Sequence, residues 1–137
     1  MNHSERIQTA INFIGSHLDE EISLDCLSNI SFLSKFHFHR LFTAFTGLSL
    51  YQYIRWLRLK RAAHQLIINK EEPIINIAIN ASFYSHEAFS RAFKQICGLS
   101  PYQFRKSNNW SFWEIPPYCL PLQGVTNMKV NIKEVSK

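Results

Sequence analysis

Residues 20–55 and 71–106 of this 137-residue chain are two copies of one segment. Aligned at an offset of 51, 14 of their 36 pairs are identical, among them Ser34/Ser85, Phe38/Phe89, Arg40/Arg91, Phe42/Phe93, Gly47/Gly98, Leu48/Leu99 and Ser49/Ser100. A repeat of this length is one supersecondary unit that has to bury its apolar face against a neighbour. The chain is therefore expected to be built from two similar halves.

Each copy carries its own start and stop signals. Ser34 and Ser85 stand before an amphipathic stretch, where a hydroxyl accepts an orphan N–H of a first helical turn. Gly47 and Gly98 stand where a left-handed cap ends it. That predicts a helix of about 12 residues in each copy. Phe38, Phe42 and Phe45, and Phe89, Phe93 and Ile96, fall at i, i+4 and i+7 and are expected to face the core. Upstream lie shorter apolar segments, Ser23 to Ile30 and Pro73 to Ala81, with Ser23 as an N-cap and Pro73 suited to a first turn. Each copy reads as short helix, tight turn, longer helix.

Between the copies, Ser49 to Asn69 is periodic, with Tyr53, Leu57, Ala63, Leu66 and Ile67 on one side. About 20 residues at 1.5 Å each give a helix of roughly 30 Å. Glu5 to Leu18, with Ile7, Ile11, Ile14 and Leu18 at helical spacing, predicts a first helix supporting the first unit. The expected fold is all-α: two helix-turn-helix units, about 5–48 and 71–106, joined by a linker helix over 49–69. A short irregular C-terminal extension covers 107–137.

Composition bounds what such a chain does. Hydrophobic residues at 46% and aromatic residues at 14%, with four glycines and five prolines, belong to a folded domain. Cys26, Cys97 and Cys119 are odd in number and far apart, which supports neither a disulfide framework nor a zinc ribbon and points to a reducing cytoplasm. No run reaches the roughly 18 apolar residues of a membrane span, and the polar start reads as neither export signal nor anchor. His37 and His39 are two apart on a helix and point away from each other, so no metal site is expected. No phosphate loop, nucleophile elbow or Cys/His pair suggests an enzyme, and no cofactor is expected.

Charge is unevenly distributed. Residues 1–30 hold one basic and five acidic side chains, whereas residues 31–106 hold eleven basic and three acidic. A positive middle favours a polyanion. Two recognition helices entering successive major grooves must sit about 34 Å apart, a distance that a rigid linker helix of this size suits.

The runs Ser34-Lys35-Phe36-His37-Phe38-His39-Arg40-Leu41-Phe42 and Gly47-Leu48-Ser49, then Phe83-Tyr84-Ser85, Phe89-Ser90-Arg91-Ala92-Phe93-Lys94 and Gly98-Leu99-Ser100-Pro101, resemble the signature of the AraC/XylS family of bacterial transcription regulators. The resemblance covers about residues 5–106. It implies about seven helices, the second helix of each unit in the major groove of promoter DNA, and control of transcription. RNA polymerase is a candidate second partner. At Ala81-Ser82 relatives commonly have Gly before the aromatic residue, so Ser82 is expected to adopt a turn conformation that Gly adopts more easily.

Opposite the apolar face of the first longer helix lie Lys35, Phe36, His39, Arg40 and Thr43, the expected base readers. Arg40 can pair with guanine or clamp a phosphate, and Phe36 can meet a thymine methyl or pack on the linker helix. The corresponding surface of the second unit is His86, Glu87, Ser90, Arg91 and Lys94. Glu87 is either an acceptor for a cytosine amino group or a first-turn carboxylate favoured by the helix dipole. Because the two faces differ, one chain is expected to bind an asymmetric site. Ser34, Ser49, Gln52, Ser85, Ser100 and Gln103 at helix starts, with Arg55, Arg58, Arg61, Arg105 and Lys106, are candidates for the phosphate backbone or for plain capping and solvation.

After residue 106 the composition shifts to Trp110, Phe112, Trp113 and a proline-rich run, either a linker or an extension whose aromatic residues pack on the domain. Alternation around Val130 and Ile132 reads as a strand, which suggests a natural short form or a fragment of a longer regulator. A small-molecule effector enters only with a further C-terminal domain. Two other functions fit the composition: a protein-interaction module using the aromatics of 110–118, and a non-specific nucleic-acid packager.

Overall fold

The computed structural model describes residues 2–107 and 109–114, which form seven α-helices, one 3₁₀ turn and no strand. In order they are α1 (His3–Ser16), α2 (Leu24–Ile30), α3 (Lys35–Thr46), α4 (Leu50–Ile68), α5 (Ile74–Asn80), α6 (His86–Cys97), α7 (Pro101–Ser107) and the turn η1 (Trp110–Glu114). No helix among the described residues is long and apolar enough to cross a membrane. The strand expected around Val130 lies outside the described residues.

Helix starts follow the serines. The hydroxyls of Ser23, Ser34 and Ser85 accept the backbone N–H of Cys26, His37 and Ala88. Ser49 with Gln52 forms a reciprocal capping box, repeated by Ser100 with Gln103. Asn2 caps α1, which begins two residues earlier than expected, by accepting from the N–H of Glu5. Gly47 and Gly98 end α3 and α6 in the left-handed region, at φ 78° and 83°.

Two cores lie along α4. The first gathers Ile7, Ala10 and Ile14 of α1, Leu27 of α2, Phe38 and Phe42 of α3, and Ile54 of α4. The second gathers Trp56, Leu59, Ala62, Ala63 and Leu66 of α4 with Ile77 and Ala78 of α5, Phe89, Phe93 and Ile96 of α6, and Phe104 of α7. Helix α4 thus closes the first unit as α7 closes the second. The rings show it: Tyr53 meets Phe42 edge-on at 5.3 Å, and Phe104, 51 positions later, meets Phe93 edge-on at 5.4 Å. Buried on two sides, α4 spends Ile54, Trp56, Leu59 and Ala62 on packing, beyond the single apolar stripe expected from its periodicity.

The uniform offset of 51 needs a correction. Helices α3 and α6 are related by 51, but α2 and α5 are related by 50: Leu27 and Ser28 are buried as Ile77 and Ala78 are. The turn hydrogen bonds obey the same register. Phe32 and Leu33 donate to the carbonyls of Asn29 and Ser28, as Ser82 and Phe83 donate to those of Ile79 and Ala78. The identities Asn29/Asn80, Ser31/Ser82 and Phe32/Phe83 therefore do not mark equivalent places. The second turn is one residue longer, and the extra residue is Tyr84, 93% exposed.

Both turns are Schellman motifs built without glycine. Phe32 and Ser82 occupy the left-handed position at φ 59° and 71°. Ser82 thus adopts the glycine-like conformation expected of it. A side chain there carries a cost of about 1 kcal/mol.

Candidate nucleic-acid interface

Helix α3 offers Lys35, Phe36, His37, Arg40 and Ala44 to solvent, with His39 half-buried. The Arg40 guanidinium lies over the Phe36 ring, 5.7 Å from its centroid, so cation and aromatic form one surface element one helical turn long. Phe36 is 72% exposed rather than packed on α4. Lys35 is less available than its exposure suggests, since its Nζ is 2.6 Å from Asp25 Oδ1 on α2. A polyanion would have to compete with that carboxylate, although an exposed pair of this kind is weak.

Two expectations on α3 fail. Thr43 is 2% exposed with its hydroxyl lacking a partner, so it cannot reach a base edge. Phe45, expected in the core, is 47% exposed. The buried stripe of α3 runs through Phe38, Phe42, Thr43 and Thr46, and the Thr46 hydroxyl donates within the closing turn and accepts from Leu48 N–H where the chain bends into α4.

On α6, His86, Glu87, Arg91, Lys94 and Gln95 are exposed and Ser90 is half-buried. Arg91 and Lys94 make no hydrogen bond or ion pair with the described residues, and Glu87 lies in the first turn, where the helix dipole favours a carboxylate. The Ser90 hydroxyl and His86 Nδ1 are 3.4 Å apart. Helix α6 therefore presents two unpaired cations, whereas α3 presents an aromatic residue under a guanidinium.

The capping serines and glutamines sit at the starts of α3, α4, α6 and α7. Each serine oxygen accepts a backbone N–H while its own O–H remains able to donate outward. Capping and phosphate binding are thus compatible at Ser34, Ser49, Ser85 and Ser100. Gln52 and Gln103 give only their side-chain oxygens to the boxes, so their amide N–H groups can still donate to a phosphate.

The arginines divide into two sets. Arg58 donates to the carbonyls of Leu18 and Glu20, and Arg105 to those of Leu66, Asn69 and Glu72. Arg61 donates to the Asn80 carbonyl and pairs with Asp19. These three guanidinium groups, expected on phosphates, instead hold loops to helices. Burial pulls Arg58 below the usual guanidinium range, with Arg61 adding to it and Asp19 and Tyr51 opposing, yet it stays charged. Arg55 lies over the Phe83 ring at 5.3 Å and donates to the Tyr51 hydroxyl, and Lys106 lies over Tyr102 at 4.8 Å; both cations remain at the surface.

Between the two units runs an open groove of about 610 Å³, lined by Tyr51, Arg55 and Arg58 of α4, by Ser82, Phe83 and Tyr84 of the second turn, and by Arg91. Sequence reasoning missed it. No periodicity places the α1–α2 loop opposite the second turn.

The aromatics after residue 106 point inward. Trp113 is fully buried against Phe93, Phe104 and Trp56, and Trp110 and Phe112 pack on the same core. Trp113 is thereby unavailable to a docking surface, while Trp110 and Phe112 stay half-exposed; Tyr118 lies outside the described residues.

A bundle that presents two helix-turn-helix units on one linker helix defines a class, the tandem helix-turn-helix DNA-binding domain. The helix-turn-helix domain family matches residues 27–107. Over 105 residues the chain is 43% identical to the uncharacterized HTH-type transcriptional regulator YbfP of Bacillus subtilis, covering 77% of this chain and 35% of that one. Over another 105 it is 35% identical to the regulatory protein SoxS of Salmonella typhimurium, covering 77% and 97%. It spans little more than a third of YbfP but nearly all of SoxS. The fold matches an AraC-type transcriptional regulator from Chromobacterium violaceum with a TM-score of 0.71 at 23% identity, covering 76% and 92%. It also matches the DNA-binding domain of AdpA, solved with a target DNA, at 0.64 and 23%, covering 74% and 90%. The chain belongs to the AraC family of transcriptional regulators.

Proposed function

We propose that this chain regulates transcription by binding one asymmetric stretch of duplex DNA, with α3 and α6 in successive major grooves. The carrying observation is that one continuous 19-residue helix, about 28 Å long, belongs to both cores. It joins two readers whose exposed side chains differ. In this reading Phe36 and Arg40 act in the first half-site, with Lys35 and His39 beside them. His86, Glu87, Ser90 and Lys94 act in the second, and Arg91, at the inter-unit groove, meets the backbone between the half-sites. Ser34, Ser49, Ser85, Ser100, Arg55 and Lys106 hold phosphates. RNA polymerase is the partner that a protein bound at a promoter would recruit or obstruct.

Selection of bound sequences from random duplexes tests this. The expected result is a non-palindromic consensus of two unlike half-sites about one helical turn apart, bound by one chain and favoured over random duplex by at least about 10³ at physiological salt. A palindromic consensus occupied by two chains, or binding without preference, would overturn it.

A further inference from the structure

Arg61 stands in the middle of α4 and touches both halves of the molecule. Its Nη1 is 2.8 Å from Asp19 Oδ1, in the loop between α1 and α2, and its Nη2 donates at 2.9 Å to the carbonyl of Asn80. Asn80 is the last residue of α5, two before the left-handed Ser82, so its carbonyl is one of those a helix end leaves unsatisfied. One turn earlier on α4, Arg58 holds the same first-unit loop through the carbonyls of Leu18 and Glu20. The guanidinium of Arg61 is therefore a cross-piece between the first unit's loop and the turn that aims α6.

Stability is a poor explanation for this arrangement. The Asp19 side chain is 82% exposed, and ion pairs so open to water contribute little to folding. Geometry is the better one. Two donors of one planar guanidinium, one aimed at a carboxylate and one at a carbonyl, define an angle, which a flexible lysine ammonium would not. From these contacts we infer that Arg61 is a positioning residue for DNA recognition: with Asp19 and Asn80 it fixes the rotation of the second unit relative to the first, and so the half-site spacing that the protein accepts. The inference rests on the tandem reading above. Moving one half-site by a single base pair shifts it about 3.4 Å and turns it by about 34°, so small changes in this angle matter.

The test uses the 137-residue chain and the selected site, with one base pair added or removed between the half-sites. Arg61→Met removes both contacts, and Asp19→Asn removes only the ion pair. For Arg61→Met, the penalty for a one-base-pair change is expected to fall at least about fivefold, with affinity for each isolated half-site unchanged. Asp19→Asn is expected to move the same way by less. If thermal melts show that Arg61→Met is unfolded, Asp19→Asn decides alone. An unchanged spacing profile in a folded variant overturns the inference. So does an equal loss at every spacing with a salt slope smaller by about 1, the mark of a phosphate contact. Absence of any spacing preference in the unaltered chain would instead overturn the tandem reading itself.

Discussion

The indole of Trp113 lies 5.4 Å from the ring of Phe93, centroid to centroid, which brings the segment after α7 into the core that supports the second recognition helix. Phe93 is fully buried and belongs to α6, so whatever loosens Trp113 loosens the base on which Arg91 stands. Replacing Trp113 by Ala should cost about 3–5 kcal/mol, the usual range for a large buried aromatic residue. A chain cut after Ser107 should show a similar loss. Chemical denaturation measures both, and a loss under about 1 kcal/mol would mean that the tail merely rests on the surface.

Ser82 accepts a left-handed backbone that α5 requires to satisfy its last carbonyls. Ser82→Gly should raise stability by roughly 0.5–1 kcal/mol, the strain relieved being partly offset by the greater freedom of glycine in the unfolded chain. Ser82→Val should lower it by more, since a β-branched residue fits that region worst. Melting of the three proteins side by side is sufficient. Equal midpoints would show that the turn is not strained.

Thr43 provides a contrast, because its buried hydroxyl has no hydrogen-bond partner among the described residues. Thr43→Val replaces an unsatisfied polar group by an apolar one of the same shape, so folding should be unchanged or improved by up to about 1 kcal/mol. Binding to the selected site should stay within about twofold. A base reader would instead cost about 1–3 kcal/mol of discrimination at one position, so a changed preference would return Thr43 to the interface.

Local signals were legible in the sequence and tertiary ones were not. Ser34, Ser49, Ser85 and Ser100 cap helices because capping needs only a hydroxyl and an N–H three residues later. Gly47 and Gly98 end them for an equally local reason. Arg58, Arg61 and Arg105 looked like phosphate ligands because a sequence lists charges but not the carbonyls that folding brings beside them. The register of the second turn was obscured by chance: Ser31-Phe32 and Ser82-Phe83 match as letters, yet the left-handed residue is Phe32 in one turn and Ser82 in the other. Thr43 and Phe45 exchanged places because the buried face of α3 follows i, i+4, i+5 and i+8 from Phe38, and the i, i+4, i+7 rule does not say which side of the Phe38–Phe42 line meets α1, α2 and α4.

Arg40 and Arg91 are equivalent by sequence but differ in setting, and their variants should differ accordingly. Arg40 lies over the Phe36 ring, which limits where its guanidinium points before DNA arrives, whereas Arg91, at the edge of the inter-unit groove, makes no hydrogen bond or ion pair with the described residues. Pre-orientation favours a bidentate contact with guanine. Arg40→Ala should therefore relax preference at one position of the first half-site, costing about 1–3 kcal/mol there with little change in salt dependence. Arg91 beside Arg55 and Tyr51 is better placed for the backbone passing between the half-sites, so Arg91→Ala should weaken all sequences alike and reduce the salt slope by about 1. Titrations of both variants at several salt concentrations, on the selected site and on single-position changes of it, separate the two roles. Should Arg91→Ala relax one base position and leave the slope intact, α6 would read with its arginine as α3 does, and the groove would lie off the path of the DNA.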